Sequence, residues 1–270
     1  MPELPEVETV VRGLAPLLVG RRFEEVQVRR ADLRWPVPSD LVPRLSGARV
    51  LAVARRAKYG LITTDRGDTL LFHLGMSGRF RIDPGTAALH DHLLFRVGGR
   101  WLAYHDPRRF GSFHLVASSE ANRHPLLASL GPEPLTPGFD GALLAAAAQG
   151  RQASIKALVL DQRVVAGIGN IYACEGLFRA GIRPTRAGHA VGRARLDRLA
   201  RALVEVLGQA IAAGGSTLRD HAAVSGELGY FQHRFAVYGR AGEPCLTCAT
   251  RVRRIVQQGR STFFCPRCQR

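Results

Sequence analysis

Cys245-Leu246-Thr247-Cys248 and, sixteen residues later, Cys265-Pro266-Arg267-Cys268 form the stretch on which the fold turns. Two CxxC pairs at this separation fit a tetrahedral four-cysteine zinc site, each turn supplying two thiolates. Four protein ligands leave no open position, so the expected single Zn2+ is structural and not catalytic. Residues 251–256 and 261–264 alternate as the strands of a hairpin, with Gln257-Gln258-Gly259-Arg260 at its tip. The spacing predicts a zinc ribbon that depends on metal for folding. Two disulfides are the rival reading, disfavoured in a reducing cytosol. Arg251, Arg253, Arg254 and Arg260 make the hairpin positive, either as a probe for a DNA groove or as a solvated basic face. Cys174, the fifth cysteine, is expected to be a small buried residue.

Upstream of this module the pattern is helical, with runs over 141–149, 154–161, 170–180 and 193–213. The last carries Leu196, Leu199, Leu203, Val206, Leu207 and Ala210 on one stripe. Residues 214–230, rich in Gly and Ser, read as a loop. Further upstream, Gly131-Pro132-Glu133-Pro134-Leu135-Thr136-Pro137-Gly138 is non-periodic and reads as a hinge. Before it, short β-type runs cover 23–28, 49–54, 59–64, 69–74, 79–82, 93–97 and 100–105, and 65–68 and 98–99 are hairpin turns. Regular short strands suggest a two-layer β-sandwich or a barrel-like domain. The fold class is therefore α+β and multidomain. Its expected parts are an N-terminal domain at 1–130, a hinge at 131–141, a helical domain at 142–235 and a finger at 236–270.

The 270 residues carry 38 Lys and Arg against 22 Asp and Glu, a net charge of +16, which points to a polyanionic partner, nucleic acid foremost. Hydrophobic content of 46% fits a globular chain with a real core and excludes a disordered one. Apolar runs are interrupted too often for a membrane span, and no signal peptide is read at the start. A cytoplasmic protein is expected. All but two of the basic residues are Arg. Lys58 and Lys156 are the exceptions, and are candidates for roles that need a compact ammonium able to give up a proton.

The chain opens Met1-Pro2-Glu3-Leu4-Pro5-Glu6, running into a helix over 3–18 with Val7, Val10, Val11, Leu14 and Leu18 at helical spacing. Removal of Met1 would leave a free secondary amine on Pro2, beside the Glu3 carboxylate. That amine can attack a sugar carbon and give an iminium with no N–H to lose, an electron sink at any pH. The helix dipole behind it disfavours the ammonium. The plain alternative is methionine excision and a frayed terminus. Gly167-Ile168-Gly169-Asn170 leads into a helix N-terminus that could hold a phosphate, with Asn170 as a cap or anion contact. Arg55–Tyr59, His73–Gly78 and Asp106–Gly111 combine basic, aromatic and flexible apolar residues, which suits holding and wedging a duplex.

These motifs together resemble bacterial formamidopyrimidine-DNA glycosylase, over the whole chain and in order. The resemblance implies a monomeric bacterial protein, nucleoid-associated when bound to DNA, with a helix–two-turn–helix domain between the β-sandwich and the finger. It implies excision of oxidised purines (8-oxoguanine opposite cytosine, formamidopyrimidines) from double-stranded DNA, then β,δ-elimination at the abasic site. Pro2 would be the nucleophile, Glu3 the proton shuttle and Lys58 the β-elimination proton donor. Arg260 matches the δ-elimination donor, although a guanidinium is better suited to anchoring a phosphate. Met76, Arg108 and Phe110 would fill the void left by the flipped nucleotide, Arg108 reading the orphaned cytosine. His73, His90, Arg151 and Asn170 would be further DNA contacts, and residues 216–230 would close over the extruded base. The competing expectations are an endonuclease VIII-like enzyme for oxidised pyrimidines and a non-catalytic zinc-ribbon DNA-binding protein.

Overall fold

The computed structural model describes residues 1–216 and 229–270, and they fall into two compact units. The first comprises Met1–Ala128 and Ala213–Tyr230; the second comprises Ser129–Ala212 and Phe231–Arg270.

Unit 1 starts with α1 (Leu4–Leu18), whose buried Val7, Val10, Val11, Leu14 and Leu18 pack into the core. The stripe read in the sequence is the stripe that is buried, and each such side chain contributes roughly 1.5–3 kcal/mol. Eight strands follow: β1 (Phe23–Val28), β2 (Val50–Arg56), β3 (Tyr59–Thr64), β4 (Asp68–His73), β5 (Arg79–Ile82), β6 (Asp91–Val97), β7 (Arg100–His105) and β8 (Ser112–Ala117). They form two antiparallel four-stranded sheets, in the orders β1-β6-β7-β5 and β2-β3-β4-β8. The sandwich, and not the barrel, is the outcome. Phe23, Phe72, Phe95, Tyr104 and Phe113 fill its interior, Tyr104 meeting Phe113 edge-on at 4.7 Å. Gly98 and Gly99, both at positive φ, make the two-residue turn between β6 and β7. Two short helices were not read from sequence, α2 (Leu41–Leu45) and α3 (Pro125–Ala128).

Unit 2 holds α4 (Gly141–Ala148), α5 (Ile155–Leu160), α6 (Asn170–Ala180) and α7 (Arg193–Ala212), with α7 packed on α4 and α6. Asp140 and Ser154 cap α4 and α5 by accepting from Leu143 N–H and Ala157 N–H. The hairpin β9 (Arg253–Gln257) and β10 (Arg260–Phe264) pairs Arg260 opposite Gln257 through a turn with Gln258 and Gly259 at positive φ.

Residues 236–270 pack within unit 2: Cys174 and Phe178 of α6 share one apolar cluster with Val237, Cys245, Val252, Phe263 and Cys265. The fully buried Glu175 carboxylate accepts from the N–H groups of Ala236, Val237 and Tyr238, each at 2.9 Å. Residues 213–230 group with unit 1, in which Ser216 is bonded to Glu6 of α1. Residues 217–228 of the expected base-covering loop lie outside the described residues.

Candidate active site and nucleic-acid interface

In unit 1 the chain start is not a loose end. Pro2 is buried and Glu3 is 4% exposed, while Met1 protrudes. Glu3 is the N-cap of α1, in extended conformation, and Pro5 supplies the fixed φ favoured in a first turn. Three residues on, Glu6 reaches back: its Oε2 accepts from Glu3 N–H at 2.9 Å. Its Oε1 accepts from both Ser216 N–H and Ser216 Oγ–H at 2.8 Å. Gly215, at φ +80, lies against the same carboxylate, where a Cβ would sit 3.3 Å from Oε1. One buried carboxylate thus ties the Pro2–Glu3 segment to the root of the 216–230 loop.

Lys58 is 8% exposed in the two-residue loop between β2 and β3, after Ala57 at φ +53. That left-handed backbone favours glycine. Arg55 braces it, donating from Nη1 to Ala57 O at 2.9 Å and from Nε to Glu8 Oε2 at 2.7 Å. Burial works against the Glu8 charge, but Arg55 and Arg12 hold its carboxyl below the usual range. Lys58 is thereby placed from α1 as well as from the sheet.

His73, at the end of β4, stacks at a tilt on Tyr59 with ring centres 5.0 Å apart, and its Nδ1 accepts from Gly75 N–H. Burial, then the charges of Lys58, Arg34 and the N-terminal amine, push its pKa down to about 4. It stands neutral beside a cationic group, able to donate from Nε2 to a phosphate oxygen. An unfolded His titrates near 6.5, so between about pH 6.5 and 4 the unfolded chain binds the proton and the folded one does not. Acidification through that window costs roughly 3 kcal/mol through this group. His73→Asn keeps an acceptor for Gly75 N–H, and urea denaturation at pH 7 and pH 4.5 should show a correspondingly smaller acid loss for the variant.

Met76 and Phe110 are 39% and 41% exposed, large apolar side chains facing outward. The Arg108 guanidinium lies over the Phe110 ring at 4.8 Å. The structure brings these three expected void-fillers to adjacent loops, 74–78 and 106–111. His90 is half-buried, its ring 5.9 Å from that of His105 and 6.3 Å from that of His92.

Unit 2 carries the remaining candidates. Gly169, and not Asn170, is the N-cap of α6, and the Asn170 side chain does not cap the helix. Its Nδ2 donates to Ser261 O at 2.8 Å and its Oδ1 accepts from Lys156 Nζ at 2.6 Å. Lys156, 1% exposed, also donates to Thr262 Oγ1 at 2.6 Å. Its ammonium therefore joins α5, α6 and β10. The Gly167 N–H is used within the turn, donated to Gln162 Oε1. Arg260 is exposed at the start of β10. Arg151 is exposed and pairs with Asp161 at 3.5 Å.

The sulfurs of Cys245, Cys248, Cys265 and Cys268 all lie within 4.8 Å of one another, with Cys245–Cys268 at 3.9 Å and Cys248–Cys265 at 3.5 Å. A tetrahedron of Zn–S bonds of about 2.3 Å needs edges near 3.8 Å, so the four fit one structural zinc. Among the described residues no other group of three or more His, Cys, Asp and Glu clusters this way. No helix among the described residues is long and apolar enough to cross a membrane.

Comparison with known proteins gives three family matches that together span most of the chain. Residues 1–113 match the formamidopyrimidine-DNA glycosylase N-terminal domain, 130–222 the helix–two-turn–helix domain of the same enzymes, and 242–270 the zinc finger found in FPG and IleRS. Formamidopyrimidine-DNA glycosylases of Rhizorhabdus wittichii and Cereibacter sphaeroides are 58% and 54% identical, each alignment covering the whole of both chains. The crystal structure of the Thermus thermophilus MutM (Fpg) protein superposes with a TM-score of 0.90 at 43% identity, covering 99% of this chain and 98% of that one. The Lactococcus lactis Fpg in complex with abasic-site DNA gives 0.92 at 33% identity, covering both chains fully. The same Lactococcus lactis protein has also been solved with DNA containing an oxidised pyrimidine, at a TM-score of 0.92 and 32% identity over both full chains.

Proposed function

The chain belongs to the formamidopyrimidine-DNA glycosylase family, and from that premise we propose that it excises oxidised purines by attack of the Pro2 amine on C1′. It is a base-excision repair glycosylase acting on damaged DNA. The preferred substrates in this reading are 8-oxoguanine opposite cytosine and formamidopyrimidines. The observation that carries it is the buried Pro2–Glu3 start, anchored through Glu6, in the unit that also holds Lys58 and His73.

The steps follow from the chemistry of that start. The Pro2 lone pair forms a bond to C1′ as the C1′–N9 bond breaks, its electrons leaving with the base. Glu3 shuttles the proton that the departing base and the opening sugar require. The resulting cationic iminium acidifies C2′, and loss of that proton expels the 3′ phosphate by β-elimination. A second elimination expels the 5′ phosphate and leaves a one-nucleotide gap. Lys58, a compact ammonium, donates and relays protons in elimination; Arg260, Asn170, Arg151, His73 and His90 hold phosphates. Arg108 supplies donors to the cytosine left behind, which is the feature that favours a purine lesion. The zinc ion shapes the finger and takes no part in bond making.

Borohydride trapping tests the reading. The mature protein should yield more covalent complex with a duplex carrying 8-oxoguanine opposite cytosine than with one carrying an oxidised pyrimidine. The reverse preference points to an endonuclease VIII-like specificity. DNA binding with no adduct on either duplex leaves only a zinc-ribbon binding protein.

A further inference from the structure

Asp106 opens the loop that carries Arg108 and Phe110, yet its own side chain is fully buried. Its carboxylate collects three donors. Oδ1 accepts from Ser77 Oγ–H at 2.5 Å, and Oδ2 accepts from Gly111 N–H at 2.8 Å and Tyr104 O–H at 3.3 Å. Ser77 Oγ, having donated its proton, accepts from Arg108 N–H at 3.3 Å. Tyr104 apart, the groups in this network adjoin a wedge residue or belong to one: Ser77 follows Met76, Gly111 follows Phe110, and the amide bonded to Ser77 is that of Arg108 itself. The backbone of Asp106 is held as well, donating to His90 O at 3.0 Å and accepting from His92 Nε2–H at 2.8 Å. The loops touch main chain to main chain. A Cβ on Gly75, which is at φ +66, would fall 2.3 Å from the Phe110 carbonyl carbon.

We propose that Asp106 is a positioning residue that fastens the two loops together, so that Met76, Arg108 and Phe110 enter the duplex as one preassembled wedge. The inference rests on the glycosylase reading above. Unstacking a duplex costs a few kcal/mol, and separately mobile side chains would add their own ordering cost on insertion. The carboxylate network removes that added cost before DNA arrives. A wedge is needed only where bases are stacked and paired. Asp106 therefore matters for lesions in duplex and is dispensable for an abasic site in single-stranded DNA.

Asp106→Asn replaces one acceptor oxygen by a donor, so that Ser77 and Gly111 can no longer both donate to it. Trapping on duplex 8-oxoguanine should fall by about tenfold or more. Trapping on a single-stranded abasic site should stay within about twofold of wild type. A 2-aminopurine beside the orphaned cytosine, opposite a non-cleavable abasic analogue, should brighten less with the variant than with wild type. Equal losses on both substrates would reduce Asp106 to a general stabiliser, and wild-type behaviour on the duplex would also overturn the inference. If Asp106→Asn does not fold, Ser77→Ala, which severs the bridge to Arg108 but keeps Asp106, decides by the same two ratios. A wild-type protein that traps neither substrate overturns the glycosylase reading itself, and this inference with it.

Discussion

With Met1 retained, or with one extra residue ahead of Pro2, borohydride trapping on an abasic-site duplex falls by at least about a thousandfold. In either form the Pro2 nitrogen is an amide, its lone pair delocalised into a carbonyl, and it cannot attack C1′. DNA affinity should stay within about twofold, because none of the basic residues assigned to phosphates is altered. Intact mass identifies the fraction with a free Pro2 amine, and the trapped fraction should equal it. Fluorescence anisotropy on the same samples reports binding. Pro2→Gly leaves a primary amine, whose Schiff base is a neutral imine and a sink only while protonated, so partial lyase activity should survive. Full trapping by a blocked protein would falsify the amine mechanism.

Removal of zinc is the second large effect. The apolar contacts of the hairpin are few, chiefly Val237, Val252 and Phe263 with Cys174, whereas a structural zinc can supply about 10 kcal/mol or more to a small module. Chelation, or Cys265→Ser, should therefore unfold β9 and β10. That releases Arg260, and it strips Asn170 of its acceptor on Ser261 and Lys156 of Thr262. Binding to lesion duplex should weaken by at least about a hundredfold and excision should cease, while the sandwich of unit 1 keeps its circular dichroism. Cys174→Ala is the control: that residue packs against the cluster without belonging to the four-sulfur group, so zinc should remain at one per chain. A Cys265→Ser protein that retains both zinc and lesion binding would contradict this account.

The sequence made some of this readable because the determinants are local. α6 starts and ends where the glycines place it, with Gly169 as N-cap and Gly181, at φ +68, as the left-handed stop. The stripe of α7 and the CxxC spacing are equally short-range. α2 was not readable: five residues with Pro43 inside give no period to detect. Long-range partners were not readable either. Lys156 drew attention as one of two lysines, but its partner Thr262 lies 106 residues away. The Glu6 arm of the cap follows from a spacing of three, yet its bond to Ser216 spans 210 residues. Asp106 sat inside a motif whose visible members were basic and aromatic, and only burial revealed that its carboxylate faces inward.

The Lys156 ammonium also constrains the order of events on the ribosome. An ion shut away without its acceptors costs several kcal/mol, and one of its acceptors, Thr262, belongs to β10. Helices α5 and α6 can form as they emerge, but they cannot close stably over that charge until the hairpin has been synthesised and has taken up metal. Nascent chains halted before Thr262 should therefore leave this bundle open to protease, however complete its helices are.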